Sequence, residues 1–224
     1  NINGTHYLLS AIKNFSTKTR FYFAASSEIF GKSVKKKQDE NTKFNPRSAY
    51  GISKVTGYHL TKNYREAYGI FACSGILYNH ESPRRNKNFV TRKITYNLAK
   101  IHRNKKHKIF LGNINSKRDW GHAKDYVVAM WKMLQQNKPQ DFVIGTGKLH
   151  SVKDFLKIAF GYFGLDYRKF IIIDKRFYRK NDKYILRANI NKATKILKWK
   201  PKIKFKSLVN EMVINDINLI YKQS

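Results

Sequence analysis

The chain has 224 residues, of which 42% are hydrophobic and 14% aromatic. That length suits one domain or two closely packed lobes with a sizeable core, and the composition excludes a chain that is disordered throughout. Lys and Arg number 46 against 14 Asp and Glu, a formal net charge of +32. Such an excess is typical of proteins that bind nucleic acid or acidic membranes, but the lysines are scattered over nearly every segment. An anionic small-molecule substrate is also compatible with this charge.

Membrane and secretory signals are missing from the sequence. No apolar run approaches the roughly 18 residues of a membrane helix, and no signal-peptide pattern is visible. The one cysteine, Cys73, lies within the apolar run 71–77. A lone cysteine cannot form an internal disulfide, which favours a reducing compartment. We therefore expect a cytoplasmic protein in which Cys73 is a small buried side chain rather than a catalytic thiol.

Apolar spacing and breaker residues predict alternating helices and strands. The predicted elements are, in chain order, a helix at 4–12, a strand at 20–25, a helix at 48–68, a strand at 70–78, a helix at 89–102, a strand at 108–111, a helix at 123–135, a strand at 141–144, a helix at 151–163, a strand at 170–173 and helices at 192–197 and 207–221. The segments 79–85 and 118–122 are predicted as a turn and a loop. Strands that alternate with helices predict an α/β protein with a parallel sheet.

The first candidate for chemistry is a tyrosine–lysine pair in the predicted helix at 48–68. Tyr50 and Lys54 are four residues apart, so that the phenol and the ammonium lie on one helix face. A free tyrosine has a pKa of roughly 10 and is a poor base at neutral pH, and a nearby cation favours its phenolate. Nicotinamide enzymes of the short-chain dehydrogenase type use such a pair. Spacing alone is a weak signal, because it recurs twice elsewhere in the chain.

Polar residues at the end of the preceding predicted strand strengthen this interpretation. Ser26 and Glu28 follow the strand at 20–25, and ligands of open α/β sheets bind at the carboxyl ends of the strands. With Tyr50 and Lys54, the serine completes the short-chain dehydrogenase triad, in which it would hydrogen-bond the reacting oxygen. Glu28 adds a carboxylate suited to taking a proton from carbon beside a carbonyl, a step of water elimination. The alternative is that Ser26 and Glu28 only shape a solvated turn.

Longer segments carry a family resemblance. The segments are 26–28, 50–54, 79–85, 88–93, 118–126 and 141–144. In this order they resemble the GDP-mannose 4,6-dehydratase family, and the similarity runs almost from end to end of the chain. Asn79–Arg85 and Arg118–Tyr126 are the most specific. Related dTDP-glucose and UDP-sugar dehydratases and epimerases share the tyrosine–lysine pair but do not usually carry these two segments.

The resemblance implies a redox-neutral reaction that converts GDP-mannose to GDP-4-keto-6-deoxymannose and water. Tyr50 would take the proton of the 4-hydroxyl while hydride leaves C4 for NADP. Glu28 would then remove the proton at C5, and water would leave from C6 with help from Ser26 and Glu28 before hydride returns to C6. The cofactor is regenerated in place and behaves like a prosthetic group. The product usually feeds the synthesis of GDP-fucose or related deoxysugars.

The resemblance also implies binding residues and partners. Family positions that contact NADP correspond to Lys54, His80 and Arg85. Positions expected around GDP-mannose correspond to Asn79, Lys93, Arg118 and Arg179, and arginine forks suit diphosphate oxygens. The alternative for Arg118 is a surface salt bridge with Asp119. Arg84 and Arg85 resemble part of a subunit interface, so a homo-oligomer, dimer or tetramer, is expected, with no metal and no specific nucleic acid.

The sequence departs from the family in three places. Ser26 stands where the family usually has threonine, and Lys180 and Asp182 replace a proline and a glutamate. No Gly-x-x-Gly-x-x-Gly loop follows a strand, although such a loop brings backbone N–H groups to the cofactor pyrophosphate. On the order of 120 residues, at ~30 per βα unit, are therefore expected before Asn1. We expect the 224-residue polypeptide alone to be inactive.

The predicted fold class is α/β. It comprises a Rossmann-like doubly wound parallel sheet without its N-terminal βα units and a smaller C-terminal α/β substrate-binding lobe. Residues 1–80 and 117–146 would be what remains of the NADP-binding domain, and residues 81–116 and 147–224 the GDP-sugar lobe. Two other functions stay open. One is a neighbouring sugar-nucleotide dehydratase or epimerase, and the other is a basic nucleic-acid-binding relic, for which only the net charge speaks.

Overall fold

A computed structural model describes residues 2–178 and 184–222. Its helices are α1 (Ile2–Phe15), α2 (Ala49–Tyr68), α3 (Val90–Arg103), α4 (Ala123–Leu134), α5 (Val152–Gly161), α6 (Asn191–Ile196) and α7 (Phe205–Lys222). Its strands are β1 (Phe21–Ser26), β2 (Ala72–Leu77), β3 (Asn79–Glu81), β4 (Ile109–Leu111), β5 (Lys117–Arg118), β6 (Trp120–His122), β7 (Phe142–Ile144), β8 (His150–Ser151) and β9 (Ile171–Ile173). Short 3-10 turns occur at Ser27–Ile29, Tyr167–Lys169 and Lys175–Phe177.

The main sheet has the strand order β1-β2-β7, and both pairings are parallel. β2 lies in the middle and is buried along its whole length, as expected of a strand that is covered on both faces. The predicted parallel α/β sheet is therefore confirmed. Because its strands are parallel, their carboxyl ends lie at the same end of the sheet.

Local capping explains why the helix boundaries were predictable. The Ser48 hydroxyl accepts the Gly51 N–H at 3.0 Å at the start of α2, and Gly69 ends the helix with a φ of 66° in the left-handed region. Ser151 and Asp154 form a capping box at the start of α5. These hydrogen bonds join neighbours in the chain, which is why the boundaries of α2 and α5 were visible in the sequence.

Two short segments differ from the prediction. Residues 79–85 and 118–122 were predicted as a turn and a loop, yet β3 and β6 pair in parallel, with Asn79 opposite Trp120. In addition, β5 pairs antiparallel with β8. Strands of two or three polar residues show no alternation of apolar and polar positions, so their pairing is decided by tertiary contacts. β3 directly follows β2 and therefore lies beyond the carboxyl end of that strand.

The apolar core is divided among several clusters. One joins α3, α5 and α7 with β4, and includes Leu98, Phe155 and Met212. Others cover the faces of the main sheet, and α6 contributes Ala193 to one of them. The division into a cofactor-binding domain and a substrate lobe stays a prediction. The packing of α6 places a part of residues 147–224 against the main sheet.

Cys73 is fully buried in β2, and burial raises the pKa of its thiol to about 12. The expectation that Cys73 is a small buried side chain on a strand is confirmed. Among the residues that the structure describes, no helix has both the length and the apolar character needed to span a bilayer.

Candidate active site

The carboxyl end of β1 carries Ser26 and Glu28. The Ser26 hydroxyl accepts the Glu28 N–H at 3.3 Å and caps the 3-10 turn at Ser27–Ile29. The first turn of α2 packs directly against this turn. A Cβ placed on Gly51 would lie only 2.9 Å from the Glu28 carbonyl oxygen, so a glycine is required for this approach. The structure therefore brings Glu28 next to the start of the helix that carries Tyr50.

Tyr50 and Lys54 lie on one face of α2, as predicted. The Tyr50 side chain is half exposed, which leaves the phenol accessible to a ligand. The Lys54 ammonium lies 5.6 Å from the centre of the Tyr50 ring and 5.2 Å from that of Phe23. Burial lowers the pKa of Lys54. The ammonium therefore lies beside the Tyr50 ring on the same helix face.

Lys54 also contacts the edge of the main sheet. Its ammonium donates a hydrogen bond to the Ala24 carbonyl of β1 at 2.8 Å. The Phe21 N–H points towards β2, where the Phe71 carbonyl accepts it at 2.8 Å. Since successive residues of a parallel strand point to opposite sides, the backbone groups of Ala24 face away from β2. Ala24 is exposed, so β1 forms an open edge of the sheet.

The opposite edge of the main sheet is closed. The Glu40 carboxylate accepts the Val143 N–H of β7 at 2.8 Å, and Lys192 donates to the Asp141 carbonyl at 2.9 Å. Side chains thus occupy backbone groups that another strand would need for pairing. Burial raises the pKa of Glu40, although the Val143 hydrogen bond opposes this change.

Asn79 and His80 lie in β3, beyond the carboxyl end of β2. The His80 Nδ1–H donates to the Tyr78 carbonyl at 2.9 Å, and the imidazole stacks on Tyr126 with ring centres 4.9 Å apart. This bond leaves Nε2 as the acceptor of the neutral ring. Burial lowers the pKa of His80, the Tyr78 carbonyl opposes this change, and the nearby Arg85 adds to it. A neutral imidazole is therefore favoured at this position.

Arg118 reaches the same end of the sheet from β5, next to the paired strands β3 and β6. It is half-buried, and its Nη1 donates to the Lys117 carbonyl at 2.8 Å. The strand pairing therefore brings Asn79, His80 and Arg118 to the end of the sheet that also carries Ser26 and Glu28.

Arg85 is held in place by its own segment. Its Nε lies 3.2 Å from the Glu81 carboxylate, and its guanidinium stacks over the Phe89 ring at 3.6 Å. Glu81 is 2% exposed and accepts the Thr91 hydroxyl at 2.7 Å. Burial raises the pKa of Glu81, whereas Arg85 and the Thr91 hydroxyl oppose this change. The neighbouring Arg84 is exposed, as an interface residue would be.

A buried ion pair fixes the turn that contains Arg85. The Arg92 guanidinium contacts Asp216 of α7 at 2.6 Å, and both side chains are at least nine-tenths buried. Arg92 Nη1 also donates to the carbonyls of Pro83 and Arg85. The Thr95 hydroxyl completes the set by donating to Asp216 at 2.6 Å. Arg92 of α3, paired with Asp216 of α7, therefore fixes the position of the 83–85 turn.

Asp119 overturns one alternative interpretation. A surface salt bridge between Arg118 and Asp119 was the other possibility for this motif, yet Asp119 is 1% exposed. Its carboxylate accepts hydrogen bonds from the Thr146 N–H, the Thr146 hydroxyl, the Gly147 N–H and the Ala188 N–H, all between 2.6 and 3.1 Å. Asp119 thus joins three segments beside Arg118 and is an internal anchor.

Lys93 lies apart from the other predicted residues. Its ammonium donates to the Phe110 carbonyl at 2.7 Å and lies 4.1 Å from the centre of the Phe177 ring. Burial lowers the pKa of Lys93, and the nearby Asp174 opposes this change. A cavity of 360 Å³ opens here, and its other lining residues are Asn97, His107, Lys108, Ile109 and Arg176. Arg179, also predicted to bind substrate, lies outside the described residues.

Sequence reasoning did not single out Gln38 or Asp216, and it assigned no role to Glu81 within the 79–85 segment, although all three are buried in the structure. Gln38 lies in a lysine-rich loop that reads as solvated, and Asp216 is one of several polar residues in an amphipathic helix. The available signal in the sequence is that Asp216 stands among apolar residues of the α7 segment. Residue spacing does not identify Arg92 as its partner. Their partners are distant in the chain, so the contacts exist only in the folded protein.

Comparison with known proteins links these features to one family. The model of the family described as GDP-mannose 4,6 dehydratase matches residues 1–212. GDP-mannose 4,6 dehydratase 1 of Arabidopsis thaliana is 48% identical over 98% of this chain and 62% of its own length. The Homo sapiens GDP-mannose 4,6 dehydratase is 43% identical over 97% of this chain and 63% of its own. The chain thus spans less than two thirds of the length of these relatives.

Solved structures show the same architecture. RMD from Pseudomonas aeruginosa, complexed with NADPH, superimposes with a TM-score of 0.87 at 18% identity over 97% of this chain and 73% of that one. The dTDP-glucose 4,6-dehydratase of Bacillus anthracis, in complex with NAD, gives 0.84 at 19% identity over 100% of this chain and 68% of that one. At such identities the likeness shows the fold alone, and it confirms the predicted Rossmann-like α/β class.

Proposed function

The chain belongs to the GDP-mannose 4,6-dehydratase family, and from this premise we propose that the complete protein converts GDP-mannose to GDP-4-keto-6-deoxymannose and water. The observation that carries the proposal is the family match over residues 1–212, which contains all four candidate catalytic residues, Ser26, Glu28, Tyr50 and Lys54. Their placement around the carboxyl end of β1 supports it. Since the chain covers 62% of the Arabidopsis relative, the activity belongs to the complete protein.

Each catalytic residue has a role that its surroundings permit. Tyr50, half exposed and one helical turn from Lys54, takes the proton of the sugar 4-hydroxyl. Ser26 donates a hydrogen bond to the reacting oxygen. Glu28 removes the proton at C5 once the 4-keto group has acidified it, and with Ser26 it assists the loss of water from C6. A bound nicotinamide supplies reversible hydride acceptance, so the overall reaction is redox-neutral.

The residues present fit one part of a nicotinamide cofactor. The Lys54 ammonium can donate to ribose hydroxyls, and the neutral His80 ring has Nε2 as an acceptor. Arg85 supplies a positive charge in the next turn. We propose NADP as the cofactor, which is supported by the family resemblance and by the NADPH complex of the similar P. aeruginosa structure.

The remainder of the cofactor site is proposed to add at the open edge of β1. Exposed apolar side chains flank this edge on two helices, Leu8 and Phe15 on α1, and Val127 and Trp131 on α4. Since parallel sheets are covered by helices on both faces, further βα units would bury these side chains, and a strand that pairs with β1 would take the Ala24 carbonyl from the Lys54 ammonium. The division into a cofactor domain (1–80 and 117–146) and a substrate lobe (81–116 and 147–224) belongs to this proposal.

The proposed substrate site combines two regions. Asn79 and Arg118 lie at the end of the main sheet, and Lys93 lies beside the cavity near Phe177. Lys93 and Arg118 supply the positive charge that a nucleoside diphosphate requires. We also propose a cytoplasmic homo-oligomer with the exposed Arg84 at a subunit contact.

The test uses the complete protein with GDP-mannose and NADP. We expect formation of the 4-keto product and no turnover of dTDP-glucose or UDP-glucose. Tyr50→Phe should stop both hydride transfer and product formation. Glu28→Gln should block elimination only, so reduced nicotinamide should accumulate on the enzyme without release of product.

The matched control is Tyr96→Phe, which changes a tyrosine that also lies beside a lysine on a helix. It should leave turnover unchanged. The proposal would be wrong if the wild-type protein turned over another sugar nucleotide instead, or if Tyr50→Phe retained full activity. Sequence-independent, salt-sensitive binding of nucleic acid would not be evidence for or against the enzyme activity, since any polycation binds nucleic acid in this way.

A further inference from the structure

Gln38 is a fully buried amide in the polar loop that follows Glu28. Its Oε1 accepts two hydrogen bonds, from the Tyr78 hydroxyl at 2.9 Å and from the Arg187 N–H at 2.8 Å. Its Nε2 donates to the Lys35 carbonyl at 2.6 Å. An amide buried without partners is costly, so these bonds define a built junction rather than a chance contact.

The backbone at Gln38 makes the same connection. The Gln38 N–H donates to the Arg187 carbonyl at 2.9 Å, and the Asn189 N–H donates to the Gln38 carbonyl at 2.8 Å. Gln38 and Ala188 thereby form an isolated parallel bridge. Together with the side chain, the bridge ties the loop after Glu28 to the 187–189 segment.

This junction is coupled to Glu28 on one side. The two ends of the loop meet where the Asn45 N–H donates to the Ile29 carbonyl at 2.9 Å and the Lys32 N–H donates to the Asn45 carbonyl at 3.1 Å. Ile29 is the last residue of the 3-10 turn that contains Glu28. A displacement of the loop therefore acts on the turn that presents the Glu28 carboxylate.

On the other side the junction is coupled to the proposed substrate residues. Tyr78 directly precedes Asn79 in the chain, and its side chain is 2% exposed. The 187–189 segment is anchored to Asp119, whose carboxylate accepts the Ala188 N–H at 3.1 Å. Asp119 is the neighbour of Arg118. One amide oxygen therefore holds three segments in a fixed relation.

We propose that Gln38 is a positioning residue that fixes the Glu28 carboxylate relative to the bound sugar nucleotide. The inference rests on the proposed function. Loss of the Oε1 acceptor leaves two buried donors unpaired, so that only the backbone bridge still ties the loop to the 187–189 segment and nothing ties it to the Tyr78 hydroxyl. Misplacement by about 1 Å costs on the order of 100-fold in rate, so the effect on turnover is large.

The experiment compares Gln38→Met and Tyr78→Phe in the complete enzyme. Gln38→Met removes the acceptor at similar length, and Tyr78→Phe removes one of the two donors and keeps the ring. For Gln38→Met we expect kcat to fall about 100-fold, with reduced nicotinamide accumulating during turnover because Tyr50 still acts while Glu28 is displaced. Tyr78→Phe should change both quantities in the same direction but less. The double variant should be less than additive, as expected for one network.

Two further measurements separate positioning from folding. The dissociation constant of GDP, measured by calorimetry, should rise for Gln38→Met, whereas that of NADP should stay unchanged. The matched control Gln135→Met, on an exposed helix end, should change neither. If Gln38→Met fails to fold, Tyr78→Phe decides the question.

The inference would be overturned if the variant that folds kept the wild-type kcat and the wild-type level of cofactor reduction and differed only in a lower melting temperature. The proposed function fails separately, if the wild-type enzyme forms no 4-keto product from GDP-mannose.

Discussion

The two halves of the candidate active site are built in opposite ways. The strand-edge half comprises Ser26, Glu28, Tyr50 and Lys54, where the tyrosine is half exposed and the lysine contacts an open sheet edge. The carboxylate half comprises residues 79–85 and 118–122 with the buried anchors Glu81, Asp119 and Asp216. Each of these three carboxylates is at least nine-tenths buried and fully engaged in hydrogen bonds or ion pairs.

This difference separates chemistry from support. A group that must reach a substrate stays accessible, whereas a group that must hold a backbone segment is buried with its partners. Substitution of the three buried anchors in the carboxylate half should therefore lower the free energy of unfolding. Substitution in the strand-edge half should lower turnover and leave stability nearly unchanged. Three substitutions in the complete protein test this comparison, and a fourth, Ser151→Ala, gives the effect of a helix cap outside both halves.

The largest loss of stability is expected for Asp216→Ala. It leaves the Arg92 guanidinium buried without its carboxylate, and breaking a buried ion pair from one side costs about 3–5 kcal/mol. Denaturant unfolding monitored by circular dichroism measures this change. The control is Glu66→Ala, which removes an exposed partner of Lys62 and should change stability by less than about 1 kcal/mol. Equal stability of the two variants would contradict the structural role of Asp216.

Asp119→Asn should have the second largest effect. The variant keeps the shape but offers one acceptor oxygen to the four donors that the carboxylate now serves. An unsatisfied buried donor costs about 1–3 kcal/mol. Unfolding experiments should show this loss, together with faster amide exchange at Gly147 and Ala188. Unchanged exchange at both amides would argue against the anchor.

Ser151→Ala is expected to cost about 1 kcal/mol, because it removes the N-cap of α5. Burial alone would raise the pKa of Asp154, but its hydrogen bonds with Ser151 lower it below the usual value. The contribution of the capping box is therefore present above the unfolded pKa of aspartate and is lost as the pH falls through the lower, folded value. The wild-type advantage over Ser151→Ala should shrink in acid, and a constant difference would contradict this reasoning.

The smallest effect on stability is expected for Tyr50→Phe. The side chain is half exposed, and surface substitutions away from special features change stability by about 0.5 kcal/mol or less. Its melting temperature should match that of the wild type while product formation is lost. A large drop in melting temperature would place Tyr50 among the supporting residues and remove the contrast between the two halves.

The sequence by itself determined the helices and the main strands. The Ser48 cap, the Gly69 stop and the Ser151–Asp154 box involve neighbours in the chain, so their spacing was sufficient. The family and the candidate catalytic residues were also accessible, because Tyr50–Lys54 and Arg118–Tyr126 are contiguous motifs. The pairing of β3 with β6 was not, since three polar residues carry no periodic signal.

Only the tertiary structure decided how the site is held. Gln38 bonds a residue 149 positions away, and Arg92 bonds a carboxylate 124 positions away. No local pattern marks such partners, because an amide or a carboxylate is far more common in a solvated loop or helix face than at a buried junction. Burial changes the free-energy cost of losing a hydrogen bond. In water the lost bond is replaced by one to solvent, whereas inside the fold no replacement partner is present.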